Sequence, residues 1–135
     1  FIGMLDFDEA FENWNRLIDK KEHTWAFVIK DETKGLLLKH RKFNGHVFLI
    51  PVPVNRAKYA SHKYGKKSML SLELLFPDSI IKRFVDKISM PGGAALLHFC
   101  DDKKTKFAEL TNKFDKNDFA NFESIFKIVN DIINK

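Results

Sequence analysis

The dipeptide Asn44-Gly45 separates two strand-like runs, Leu36 to Phe43 and His46 to Val54, and nothing else in the chain constrains its fold as tightly. A type I′ turn needs positive φ at both central residues, which Asn and Gly tolerate best, and a two-residue loop fixes the register of the strands it joins. The expected pairs are Phe43 with His46, Arg41 with Phe48 and Lys39 with Ile50. One face of this hairpin collects Leu36, Leu38, Val47 and Leu49 and is expected in the core, while the other collects Lys39, Arg41, Phe43, His46 and Phe48. Pro51 and Pro53 cannot donate to a ladder, so pairing should run out there or lie on an edge.

The flanking segments read as follows. Phe7, Phe11, Trp14 and Ile18 recur at helical spacing, with Asp6 placed to cap and Lys20 and Lys21 at the end the dipole favours for cations, which predicts a helix from about Phe7 to Lys20. Thr24 to Lys30 and Ser68 to Leu75 read as strands. A short helix begins at Pro77, carries Ile80, Ile81, Phe84, Val85 and Ile88, and stops at Pro91-Gly92-Gly93. A second hairpin over 94–111 joins Ala94 to Cys100 with Lys106 to Thr111 through Asp101-Asp102-Lys103-Lys104. The last helix, Asp118 to Ile133, gathers Phe119, Phe122, Phe126, Val129 and Ile133 on one face. The expectation is one α+β domain over 1–135: an N-terminal helix, a curled antiparallel sheet with hairpins at 36–54 and 94–111, a short middle helix and a C-terminal helix. Whether the sheet closes into a small barrel is left open by the pattern.

At 135 residues with 44% apolar content the chain can bury a core without metal, disulfide or cofactor, and none of these is expected. The lone Cys100 suits a reducing compartment, and the apolar runs fall short of the roughly 20 residues a spanning helix needs. With no signal-peptide layout, a cytoplasmic, intracellular protein is expected. The start at Phe1 also suits a domain cut from a longer chain.

Charge is segregated. Between Glu32 and Glu73 lie nine Lys or Arg residues (Lys34, Lys39, Arg41, Lys42, Arg56, Lys58, Lys63, Lys66, Lys67), no Asp or Glu, and three of the five histidines. Such a window recruits anions, whereas the same net charge of +5 spread evenly would mainly aid solubility. Cations neutralise phosphates and exposed rings stack on unpaired bases, so the hairpin face (Lys39, Arg41, Phe43, His46, Phe48) and the loop 55–67 (Arg56, Lys58, Tyr59, Lys63, Tyr64, Lys66, Lys67) together predict nucleic-acid binding, RNA ahead of DNA. Two alternatives stand beside it. In a metal-independent ribonuclease, His62 would move protons while Arg56 or Lys63 stabilised the charge developing at phosphorus. In a non-catalytic module, the basic strip would bind an acidic protein or anionic head groups. Paired carboxylates, HExxH, CxxC and a glycine-rich phosphate loop are all missing from the sequence, and His98 with Cys100 is expected to be a core pair rather than a metal site.

The segment Phe48-Leu-Ile-Pro-Val-Pro-Val-Asn-Arg-Ala-Lys-Tyr59 resembles the part of ToxN/AbiQ-type endoribonuclease toxins in which a strand ends in Pro and is followed by Lys residues and an aromatic or His. The resemblance implies a barrel-like fold and metal-independent RNA cleavage. Val54 stands where that family would place a small hydroxyl residue important for cleavage.

Overall fold

The runs on either side of Asn44-Gly45 form the two inner strands of a four-stranded sheet. The computed structural model describes residues 1–6, 11–19, 24–59, 70–89, 93 and 95–135. Its first sheet contains β1 (Ile2–Leu5), β2 (Trp25–Asp31), β3 (Gly35–His40) and β4 (His46–Leu49) in the order β1-β4-β3-β2. β1 runs parallel to β4 and the other neighbours are antiparallel, so the sheet is mixed and open rather than a closed antiparallel barrel. β1 itself lies ahead of the helix expected to come first. β4 is buried along its whole length because it has a strand on each side and packed residues on both faces. It ends at Leu49, ahead of Pro51 and Pro53.

The hairpin register differs from the expected one. Leu36 faces Leu49, Leu37 faces Phe48, Leu38 faces Val47 and Lys39 faces His46. The division into faces survives, since Leu36, Leu38, Val47 and Leu49 still share a side, but the loop is longer. Gly45 is not among the described glycines with positive φ, so no I′ turn forms. Two contacts replace it: the His40 amide donates to the Gly45 carbonyl at 2.8 Å, and a Cβ on Gly45 would stand 2.7 Å from the Phe1 ring. A side chain at Gly45 would have to push aside the exposed Phe1 ring, and the turn makes no use of glycine's access to positive φ. The glycine with positive φ is Gly35 (φ 93), at the β2–β3 turn.

The helix α1 (Phe11–Asp19) buries Trp14, whose ring meets Phe27 edge-on at 6.2 Å. Residues 7–10 and 20, where the expected helix extends further, lie outside the described residues. Phe27 pairs with Leu38, which sets α1 against the Leu36/Leu38 side of the sheet. A bulge between Phe27 and Ile29 then moves Ile29 into register with Leu37, on the opposite side.

The second half departs further from expectation. Leu72–Leu75 is a 3-10 turn rather than a strand, and the middle helix α2 (Asp78–Ile81) is one turn long. Val85 and Ile88 belong to β5 (Val85–Ser89), which pairs antiparallel with β6 (Ala95–Phe99) in a separate two-stranded sheet. The hairpin expected over 94–111 is absent: a 3-10 turn at Asp101–Lys103 leads into helix α3 (Lys104–Leu110). Phe107 and Leu110 recur at i and i+3, and Lys104, Lys106, Ala108, Glu109 and Leu110 are good helix formers, so helical spacing and propensity agree there. A 3-10 segment, Lys116–Phe122, opens with a capping box between Asp115 and Asp118 and continues into α4 (Glu123–Ile133).

Phe76 is the hub of this half, with ring centroids of Phe107, Phe114, Phe119 and Phe122 all within 5.4 Å of its own. The same buried cluster includes Trp14, Phe48 and Leu49 from the first half. No described helix is long and apolar enough to cross a membrane.

Candidate nucleic-acid interface

Five residues, Arg41 to Gly45, link β3 to β4, and His40 organises them. Its Nδ1 accepts the backbone N–H groups of Lys42 and Phe43, each at 3.1 Å, which places the ring proton on Nε2. The Arg41 amide donates to the Thr24 carbonyl at 2.9 Å. Held this way, Phe43 lies over His40 with centroids 4.8 Å apart, and His40 meets Trp25, its partner across β2–β3, edge-on at 4.9 Å. The result is a ladder of three rings that grows more exposed toward its end, where Phe43 is 69% exposed. Arg41 and Lys42, both exposed, immediately precede it in the chain. A large ring held open to water beside two cations can stack an unpaired base and neutralise the phosphates next to it.

Beside the tip a cleft of about 360 Å³ opens between the sheet and α4. Val28, Ile29 and Leu37 line it from the strands, Ile128 and Ile132 from the helix, and Lys39, Asn44, His46, Asp131 and Lys135 supply its polar groups. His46 is 8% exposed, and its Nδ1 has no hydrogen-bond partner among the described residues. Burial, and then the positive charge of Lys39, hold its pKa below the usual 6.5.

Several residues expected at the interface are placed elsewhere. Phe48 is 1% exposed, opposite Leu37, with its ring against Gly35, so it is a core residue and cannot stack on a base. Arg56 is 3% exposed. Its Nε donates to the Leu74 carbonyl at 2.5 Å, and its Nη2 to the Phe76 carbonyl at 3.0 Å and to Asp78 Oδ1 at 2.7 Å. That guanidinium ties the 3-10 turn Val54–Tyr59 to the start of α2 instead of meeting phosphate. Lys58 and Tyr59 sit on the same turn. His62, Lys63, Tyr64, Lys66 and Lys67 lie outside the described residues.

Lys39, Arg41 and Phe43 are exposed at the end of β3 and in the link after it, and Lys39 and His46 line the cleft. Trp25 and His40 were not legible as partners of Phe43, because the expected two-residue turn would have sent the odd and even positions of 39–43 to opposite faces. The signal that could have found them is the aromatic next to each charge: His40 before Arg41, and Phe43 after Lys42.

Cys100, read as a core neighbour of His98, donates its Sγ–H to Asp86 Oδ2 at 3.0 Å. That bond, and then burial, raise the thiol pKa. Among the described residues no group of three His, Cys, Asp or Glu could hold a metal ion.

Comparison with protein-family models, with curated proteins and with solved structures finds no match. The likeness to ToxN/AbiQ-type toxins therefore rests on the positions 48–59 alone, of which Phe48 and Arg56 are built into the core.

Proposed function

We propose that this protein binds single-stranded RNA through the β3–β4 tip, with Phe43 as the stacking platform and Arg41, Lys42 and Lys39 as phosphate contacts. The observation that carries the reading is the 69% exposure of Phe43 at the end of a fixed ring ladder. The two backbone hydrogen bonds to His40 hold the Phe43 ring in place before any ligand arrives, so stacking a base on it costs little ordering. The basic run Lys58, Lys63, Lys66 and Lys67 extends the same charge along the chain and adds to the field that draws a polyanion in.

RNA is favoured over DNA because unpaired bases are the ordinary target of stacking side chains in RNA recognition. In this reading Phe48 and Arg56 are structural and do not touch the ligand. The ribonuclease alternative loses Arg56 as a charge stabiliser, since its fork is engaged by two carbonyls and a carboxylate.

Fluorescence titration of a labelled single-stranded RNA tests the proposal. Phe43→Ala is expected to weaken binding by about 1–3 kcal/mol, the range for losing one stacked base. Equal affinity of wild type and Phe43→Ala would remove the platform. Binding of an acidic protein or anionic vesicles in place of RNA would favour the interaction-module reading.

A further inference from the structure

The cleft beside the tip has a composition that simple backbone binding does not require. Its walls are aliphatic on both sides, Ile29 and Leu37 from the sheet and Ile128 and Ile132 from α4. A cavity near 360 Å³ is at the small end of the about 300–1,000 Å³ usual for ligand sites, which suits a single flat ring system with its substituent. Polar groups of three kinds meet there: the cations Lys39 and Lys135, the amide of Asn44, and the carboxylate of Asp131. His46 lines the same space, more than nine-tenths buried, with its Nδ1 unpartnered. A buried nitrogen left without a bond costs about 1–3 kcal/mol, recovered when an occupant supplies one.

Position links the cleft to the platform. Asn44, which follows Phe43 directly, lines the cleft. The Phe43 ring packs on the His40 side of β3 and the cleft opens on the Lys39 side, so a strand that passes over the β3–β4 tip can offer one base to each.

We infer that the cleft receives one unpaired guanine of that strand, with the base between the aliphatic walls, Asp131 accepting from its Watson–Crick edge, His46 bonding to its rim and Lys39 and Lys135 meeting the attached phosphate. Guanine is singled out because it offers two adjacent donors, N1–H and N2–H₂, to a carboxylate, whereas uracil, cytosine and adenine do not present such a pair. Asn44 has both a donor and an acceptor and can complete the edge. The inference rests on the RNA reading above and adds to it a base preference at one position.

The test compares four short single-stranded RNAs of equal length that differ in one central base, bound to wild type, Val28→Trp, Asp131→Asn and Phe43→Ala. Val28 is half exposed at the cleft wall, so a large ring there fills the space without opening the core, and Asp131 is exposed, so its amide leaves the fold intact. Wild type should favour the guanine RNA roughly tenfold or more, the scale of one good base-edge contact. Val28→Trp and Asp131→Asn should erase that preference while leaving affinity for the uracil RNA within about twofold, and Phe43→Ala should lower all four affinities together. RNAs that bind wild type without preference for guanine, or a preference that survives both cleft variants, would overturn the inference and leave the platform standing. If no RNA binds wild type at all, the RNA reading fails and the inference falls with it.

Discussion

Three side chains in the middle of the sequence show how one residue's environment decides its role. Gly35 has φ 93, and a Cβ there would stand 2.3 Å from the Phe48 ring. Backbone strain and overpacking then act together, so Gly35→Ala should destabilise the protein by on the order of 3 kcal/mol in urea unfolding. Arg56 presents a magnitude to be divided. Its bonds to the carbonyls of Leu74 and Phe76 are buried, whereas the Asp78 side chain it also meets is 71% exposed. Removing Arg56 as Arg56→Leu leaves two carbonyls unpaired and should cost about 2–4 kcal/mol, whereas Asp78→Ala should cost less than about 1 kcal/mol because water already screens that pair. Comparable losses in the two variants would show that the ion pair, not the carbonyl clamp, is what Arg56 provides. For His46 the sign follows from its depressed pKa: the unfolded chain takes up the proton first as pH falls. Its contribution is complete above about pH 6.5 and is lost as the pH falls from there toward the lower folded-state value. The melting temperature should therefore drop more between about pH 7 and pH 5 in wild type than in His46→Gln, and parallel pH profiles would contradict the buried neutral ring.

At the scale of elements, Phe76 is the clearest lever. It touches four other phenylalanines, one from α3, one just after it and two from the 3-10 segment that leads into α4, so Phe76→Ala should cost about 3–5 kcal/mol, with loss of cooperativity visible in urea unfolding if the C-terminal helices detach. What the sequence revealed about these elements depended on their apolar content, from which β2, β3 and β4 were legible as strands and α4 as a helix. The bulge at Phe27–Ile29 breaks the alternation of β2, and α4 turns Ile125 and Ile128 inward while Phe126 and Ile133, expected on its buried face, are exposed. Lys106 to Thr111 was misread as a strand although Phe107 and Leu110 stand at helical spacing among good helix formers, because the Asp101-Asp102-Lys103-Lys104 cluster looks like a turn whether a strand or a helix follows it. β1 was not legible at all: four residues pairing in parallel with a strand more than 40 positions away leave no local pattern. The Asn44-Gly45 signal was real as a turn but wrong as a turn type, since five residues, Arg41 to Gly45, link the strands instead of two. The candidate site inherits the same division. The exposure of Lys39, Arg41 and Phe43 was readable, although Arg41 and Phe43 lie in the link and not on the expected strand face, whereas the burial of Phe48 and Arg56 depends on what packs over them, and no local window carries that.

For the whole molecule, the governing fact is that a net charge of +5 is concentrated in one window of the chain, with an acidic N-terminal stretch and a balanced C-terminal half on either side. The sheet raises part of that window to its β3–β4 end, where Arg41 and Lys42 stand beside an exposed ring. Polyanion binding built on such charge should release counterions, and stacking should not. The two terms can be separated in one experiment, the affinity for a single-stranded RNA measured across a series of salt concentrations for wild type, Lys42→Ala and Phe43→Ala. Wild type should weaken with a log–log slope of about −0.7 for each phosphate contacted, Lys42→Ala should lose about one contact from that slope, and Phe43→Ala should bind more weakly at every salt concentration with the slope unchanged. An affinity that does not respond to salt, or identical curves for all three proteins, would contradict the account.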